Sequence, residues 1–107
     1  MARFLTERGF EIGALNLRLQ YLELDVIARH GELIVVVEVR TRSRAAWTSA
    51  FGSIDGRKRQ RIRRAGHRLW ERRYRNDPSV KRLRFDAASV AFGDDGSPLV
   101  EYVEAAF

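Results

Sequence analysis

The chain has 107 residues, no cysteine, and histidine only at His30 and His67; it is long enough for one domain spanning 1–107 with a real core, and its residue types exclude a structural zinc cluster and thiol chemistry. No apolar run approaches the roughly 18–20 residues of a membrane span, and no charged-then-apolar leader is present, so neither a span nor a signal peptide is expected and the expected location is cytoplasmic. The net charge of +6 is unevenly spread: residues 1–38 carry −2, residues 39–84 carry +13 and residues 85–107 carry −5. A basic middle of that density is the electrostatic footprint of a protein that meets a polyanion, most simply nucleic acid. Among its bases only Lys58 and Lys81 are lysines, and arginine excess suits bidentate phosphate contact, although a GC-rich coding bias produces the same excess.

Met1 to Arg8 reads as the end of a short helix, with Phe4 and Leu5 apolar and Gly9 as its C-terminal stop. Phe10 to Leu19 alternates as a strand, Phe10, Ile12 and Ala14 being followed by Leu15, Leu17 and Leu19 after a phase change, which predicts a bulge near Gly13 to Asn16.

The stretch Tyr21 to Arg42, YLELDVIARHGELIVVVEVRTR, reads as a hairpin. Leu24, Val26 and Ala28, then Leu33, Val35, Val37 and Val39, alternate on either side of a turn where Gly31 supplies permissive backbone. Side chains two apart on a strand share a face, so Glu23, Asp25 and Ile27 point one way and Ile34, Val36, Glu38 and Arg40 share a face of the second strand. A two-residue loop at His30 and Gly31 would set Glu38 opposite Glu23, with Asp25 on the diagonal. The opposite face is apolar too, so the hairpin is expected to be covered on both sides, where clustered carboxylates need a cation or donors. A divalent metal such as Mg²⁺, held by carboxylates, waters and substrate phosphate, meets that need. Pairing with arginines at a strand end is the competing explanation.

Ser43 to Gly52 is expected to be a loop beside the acids, carrying Trp47 and Phe51 either as core-edge aromatics or as stacking groups. Ser53 or Asp55 can cap a helix running to about Asn76, ended by Asp77 and Pro78. On it Ile62, Ala65, Gly66, Leu69 and Trp70 recur at the helical period as the buried stripe, while Arg57, Arg61, Arg64, Arg68, Arg72 and Arg75 recur as a basic one. Gly66 costs about 1 kcal/mol relative to Ala inside a helix, which argues for close approach to a sheet. A solvated face usually mixes signs, yet Glu71 is the only acid between Arg57 and Arg75, so the arginines read as a phosphate-facing ridge. Val80 to Phe92 reads as a long strand, Gly93 to Gly96 as a turn and Leu99 to Val103 as a last strand. The order of elements predicts an α/β fold with a mixed sheet, the helical crossover making the fourth strand parallel to an earlier one.

An Asp on one strand followed thirteen residues later by Glu-Val-Arg on the next resembles the PD-(D/E)xK nuclease core, whose order is αβββαβ. More closely, the chain resembles the YraN-like family of endonuclease-like proteins, distantly related to archaeal Holliday junction resolvases. The resemblance rests on Phe4 to Asn16, ELDVIAR from Glu23 to Arg29, VVVEVRTR from Val35 to Arg42, Phe51 with Gly52, Lys58 with Arg61 and Ile62, RFD from Arg84 to Asp86, and Ala106 with Phe107.

It implies a restriction-endonuclease-like fold and hydrolysis of DNA phosphodiester bonds, at branched or damaged DNA, with one or two Mg²⁺ or Mn²⁺ ions. Asp25, Glu38 and the carbonyl of Val39 would bind metal, Glu23 would assist, and Arg40 stands where the broader motif has Lys. Arg42, Arg44, Arg57, Lys58, Arg61, Arg64 and Arg68 are the expected nucleic-acid contacts. Three features depart from the pattern. Arg40 cannot lose its proton, Leu22 precedes Glu23 where the family has Gly, and the family's Gly-Glu on the first helix would fall before Met1. A nucleic-acid-binding module without turnover, and a domain docking an acidic protein, are the rival readings.

Overall fold

A computed structural model describes residues 1–19, 22–41 and 56–107. Helix α1 (Ala2–Glu7) is followed by strands β1 (Glu11–Leu19), β2 (Leu22–His30) and β3 (Leu33–Thr41), helix α2 (Gly56–Leu69) with a π-helical last turn (Trp70–Tyr74), and strands β4 (Arg82–Phe92) and β5 (Pro98–Val103). Among the described residues the strands form one sheet in the order β1-β2-β3-β4-β5. β3 and β4 are parallel and the other neighbours antiparallel, as a helical crossover between β3 and β4 requires. This is the expected α/β architecture with a mixed sheet, consistent with a restriction-endonuclease-like core.

The sheet is covered on both faces. On one side α1 delivers Leu5 onto Val26, Ala28, Val35, Val37 and Ala88. On the other, Ile62, Ala65 and Leu69 of α2 pack on Leu24, Ile27, Ile34 and Val36. That two-sided burial is why β3 reads as a run of valines rather than as a strict apolar–polar alternation.

Helix α1 ends as Gly9 predicts. Gly9 takes φ +87°, its N–H donates to the Thr6 carbonyl and the Phe10 N–H to the Leu5 carbonyl, both at 3.0 Å, the two bonds of a Schellman motif. In β1 the register slips between Ile12 and Ala14, so Gly13 is the bulge expected near there, and Asn16 lies in the left-handed region at φ +50°. The phase change in the sequence is thus a bulge followed by a bend.

The hairpin turn is a correction to the expected register. β2 runs on to His30, the loop is Gly31 and Glu32, and His30 pairs with Leu33. Gly31 at φ +59° is the first loop residue, not the second, as in a type II′ turn. The loop still has two residues, but Glu38 now falls in line with Asp25 rather than with Glu23. The expectation that Glu23, Asp25 and Ile27 share one face also needs revision. Leu22 and Leu24 pack on the α2 side while Val26 and Ala28 pack on the α1 side, so the alternation of β2 changes phase at Asp25.

Two tertiary contacts hold the second half. A Cβ added at Gly66 would lie 2.5 Å from Phe85 Cζ, so the missing side chain gives α2 the close approach to the sheet that the sequence predicts, here over the Phe85 ring of β4. Behind β4, Asp86 is fully buried. It accepts two hydrogen bonds from Arg84 at 2.7 and 2.8 Å, one from the Tyr102 hydroxyl at 2.5 Å and one from the Ala105 N–H at 2.9 Å. Burial, then the hydrogen bond to Asp86, pushes the Tyr102 hydroxyl pKa up, and the same carboxylate raises that of Arg84. The tail finishes with Ala106 N–H donating to the Phe85 carbonyl at 2.8 Å and Phe107 stacked on Phe85 at 5.7 Å. The expected capping residues Ser53 and Asp55, and the loop with Trp47 and Phe51, lie outside the described residues.

Two outcomes test this packing by urea denaturation. Gly66→Ala gains about 1 kcal/mol of helix propensity but overpacks Phe85, at a typical cost of about 1–3 kcal/mol. The variant should therefore be no more stable than the parent, and Phe85→Leu in the same chain should recover the propensity gain. Asp86→Ala leaves Arg84 without its buried partner and should cost about 3–5 kcal/mol.

Candidate functional site

The site is built where two strands part. β2 pairs with β1 through Leu22, β3 pairs with β4 through Thr41, but the β2–β3 ladder ends at Val26 opposite Val37. Beyond that pair the sheet opens into a fork, and the backbone groups facing it have lost their ladder partners. Asp25 fills one position: its Oδ2 accepts the Val39 N–H at 2.9 Å. A side-chain carboxylate there replaces the missing strand bond and is itself held in one orientation.

Glu38 stands on the other tine of the fork, 5% exposed, lining the same cleft as Asp25 and feeling its charge. Helix α2 brings Lys58 down from its first turn, with Nζ 2.5 Å from Glu38 Oε1. Burial pushes the Glu38 pKa above its ordinary value of 4.5 and the neighbouring Asp25 charge adds to this, while the Lys58 ammonium opposes both. Leu22, Glu23, Asp25, Glu38, Lys58, Arg61 and Ile62 line a cleft of about 310 Å³ around this trio on the α2 face. A second cleft of about 440 Å³ opens on the α1 face, lined in part by Asn16, Asp25 and Val39. Asp25 lines both, as expected of a residue in a gap through the sheet.

The other expected residues are placed differently. Glu23 sits on the rim of the α2-side cleft, exposed, with Oε2 3.7 Å from Arg18. Arg40 is partly buried, is not among the residues lining the Glu38 cleft, and pairs in register with Ser89 on β4. Among the described residues the buried Arg40 Nε and Ser89 Oγ have no hydrogen-bond partner. Arg57 and Arg64 lie exposed on α2 and Arg68 is partly buried there. Arg42 and Arg44 fall outside the described residues. Among the described residues no group of three or more His, Asp or Glu side chains gathers at one point.

One residue escapes sequence reasoning as a site residue. Asn16 falls opposite Asp25 by continuation of the β1–β2 register and lines the α1-side cleft, and its signal was the phase change together with Asn, a residue that tolerates positive φ.

The family model for UPF0102, described as an uncharacterised protein family, matches residues 1–90. A UPF0102 protein of Sorangium cellulosum (strain So ce56) is 50% identical over 103 residues, covering 96% of this chain and 72% of its own length. One from Parafrankia sp. (strain EAN1pec) is 42% identical over 106 residues, covering 99% of this chain and 87% of its own. One from Porphyromonas gingivalis (strain W83) is 37% identical over 106 residues, covering 98% and 76%. With the model covering most of its length and relatives this close over nearly all of it, the chain belongs to the uncharacterised protein family UPF0102, the YraN-like family that its residues resemble.

Proposed function

We propose that the protein is a metal-dependent endonuclease that hydrolyses DNA phosphodiester bonds at the fork between β2 and β3. The observation that carries this reading is the convergence of Asp25, Glu38 and Lys58 at the point where the sheet opens. Two carboxylates pressed together, with burial favouring the protonated form of one, form an arrangement that a divalent cation relieves. The donor set also fits: Mg²⁺ is commonly held by one or two carboxylates, the rest of its shell being waters and substrate phosphate oxygens. Asp25 and Glu38 would hold the ion, with the Val39 carbonyl as the backbone donor. When bound, it supplies a water of lowered pKa and neutralises charge on the phosphate.

The protein's own groups do the rest. The Val39 N–H fixes Asp25, so no rotamer freedom is lost when a ligand arrives. Lys58 brings an ammonium to Glu38 from α2, while the lysine position of the broader nuclease motif is held by Arg40 on β3. Arg40 remains protonated and can stabilise charge but cannot accept a proton. Arg61, in the same cleft, and the exposed Arg57 and Arg64 extend a positive track along α2 suited to a phosphate backbone.

The finding that no third His, Asp or Glu joins the pair among the described residues favours a second reading, a nucleic-acid-binding module of the same fold without turnover. The two part on one assay. Calorimetry with Mn²⁺ should show binding that disappears in Asp25→Asn and in Glu38→Ala, and cleavage of duplex, single-stranded or four-way-junction DNA should disappear with it. Cleavage that survives both substitutions ends the proposal; salt-sensitive DNA binding without any cleavage selects the module. Lys58→Ala should leave metal binding in place, or tighten it by removing a competing cation, while slowing cleavage about 10²-fold.

The pH dependence has a definite sign. Because the Glu38 pKa is raised in the folded protein, the metal-free chain gains stability from Glu38 below the ordinary value of 4.5, and that gain is lost as pH rises through the raised value. Metal binding needs the ionised carboxylate, so it runs the other way. Mn²⁺ affinity should fall on acidification at a pH above 4.5, and Asp25→Asn, which removes the neighbouring charge, should shift the Glu38 titration followed by NMR to lower pH.

A further inference from the structure

Helix α2 has two basic flanks, and the acid cleft uses one of them. Around the buried stripe of Ile62, Ala65, Gly66 and Leu69, Lys58 and Arg61 project on the side of the fork, whereas Arg63, His67 and Trp70 project on the side of β4. Between this second flank and β4 lies a separate cleft of about 360 Å³, lined by Arg63, His67, Trp70, Lys81, Leu83 and Phe85. Its floor is the apolar surface of Trp70, Leu83 and Phe85, and it exists because Gly66 lets the Phe85 ring come in beneath the helix. Its rim is Arg63, His67 and Lys81, all exposed. No acid lines it. Among the described residues none of the three rim groups is paired with a carboxylate, and Glu71, the acid nearest in sequence, is committed to Arg75 at 2.8 Å.

We propose that this cleft binds one unstacked nucleotide of a single-stranded nucleic acid, its base lying on Trp70 and its flanking phosphates on Arg63, His67 and Lys81. The chemistry selects this occupant. An aromatic floor with a cationic rim is the combination that holds a single strand, bases on aromatic rings and backbone on basic side chains. Duplex DNA presents phosphates but keeps its base faces stacked away from such a floor. An acidic peptide would satisfy the rim and leave Trp70 and Phe85 uncovered. Along α2, Lys58 and His67 are nine residues apart, about 13.5 Å at the helical rise. A strand leaving a duplex at the acid cleft can therefore cross the arginine ridge and reach the second cleft within a few nucleotides. The inference concerns binding alone, so it stands or falls separately from the proposed hydrolysis.

The test uses the full chain with Trp47 replaced by Phe, leaving Trp70 as the sole tryptophan, in a chelating buffer so that no cleavage occurs. Titration with a short oligothymidylate should quench Trp70 fluorescence saturably. A strand of the same length made of abasic units should bind through its phosphates without quenching, and a duplex should not quench. Trp70→Leu should weaken binding of the oligothymidylate about 5- to 150-fold, the range expected for losing one stacked base, and leave duplex binding unchanged. Should Trp70→Leu fail to fold, as circular dichroism would show, Arg63→Ala with Lys81→Ala carries the test. Both positions are exposed, and the pair should reduce oligothymidylate affinity and the slope of its salt dependence. The proposal is overturned if oligothymidylate fails to quench, if the abasic strand quenches equally, or if polyglutamate binds as tightly with the same quenching.

Discussion

The β2–β3 ladder stops at Val26 and Val37, and the rest of the site depends on that termination. Each strand is claimed by its other neighbour for longer: β2 by β1 to Leu22, β3 by β4 to Thr41. The two strands keep these outer partners while they part from each other. The gap releases backbone groups that need partners, and Asp25 meets one of them through the Val39 N–H. A residue that serves the backbone in this way is oriented by the fold and needs no ligand to hold it.

Helix α2 supplies the opposite charge, and its placement is a packing problem before it is an electrostatic one. Gly66 sits over Phe85 with no room for a Cβ, so the Phe85 ring lies directly beneath the helix. Lys58 in its first turn meets Glu38 on one flank. A cleft lies on the other flank, with Phe85 and Trp70 as its floor. The arginines between them are mutually repulsive at i and i+4 spacing, a cost that the tertiary contacts of the buried stripe must offset.

The tail is tied by a separate device. Asp86 collects Arg84, Tyr102 and the Ala105 N–H in a buried site on the α1 side, where Phe4 stacks on Tyr102 at 5.5 Å. Four hydrogen bonds from both side chains and backbone satisfy a carboxylate that would otherwise be prohibitive to bury. This joins β4, β5, α1 and the C-terminal residues. The RFD run from Arg84 to Asp86 therefore has a packing explanation independent of any chemistry at the fork.

Much of this was written in local pattern. Period-two and helical spacing located every strand and both helices, Gly9 marked the end of α1, Gly66 its close packing in α2, and the crossover its parallel pair, because each depends on the residues nearest in sequence. The acids were legible as a cluster for the same reason. What the pattern could not supply was register across the turn: whether Gly31 is the first or the second loop residue moves Glu38 by two positions, from Glu23 to Asp25. Nor could it reveal the phase change at Asp25, the reach of Lys58 to Glu38, or the convergence on Asp86, since these join residues many positions apart. The amino-acid sequence by itself determined the elements, the basic helix and the candidate acids. Only the tertiary structure decided which acids meet, because the fork is set by where the ladders among four strands begin and end, and no single segment contains that information.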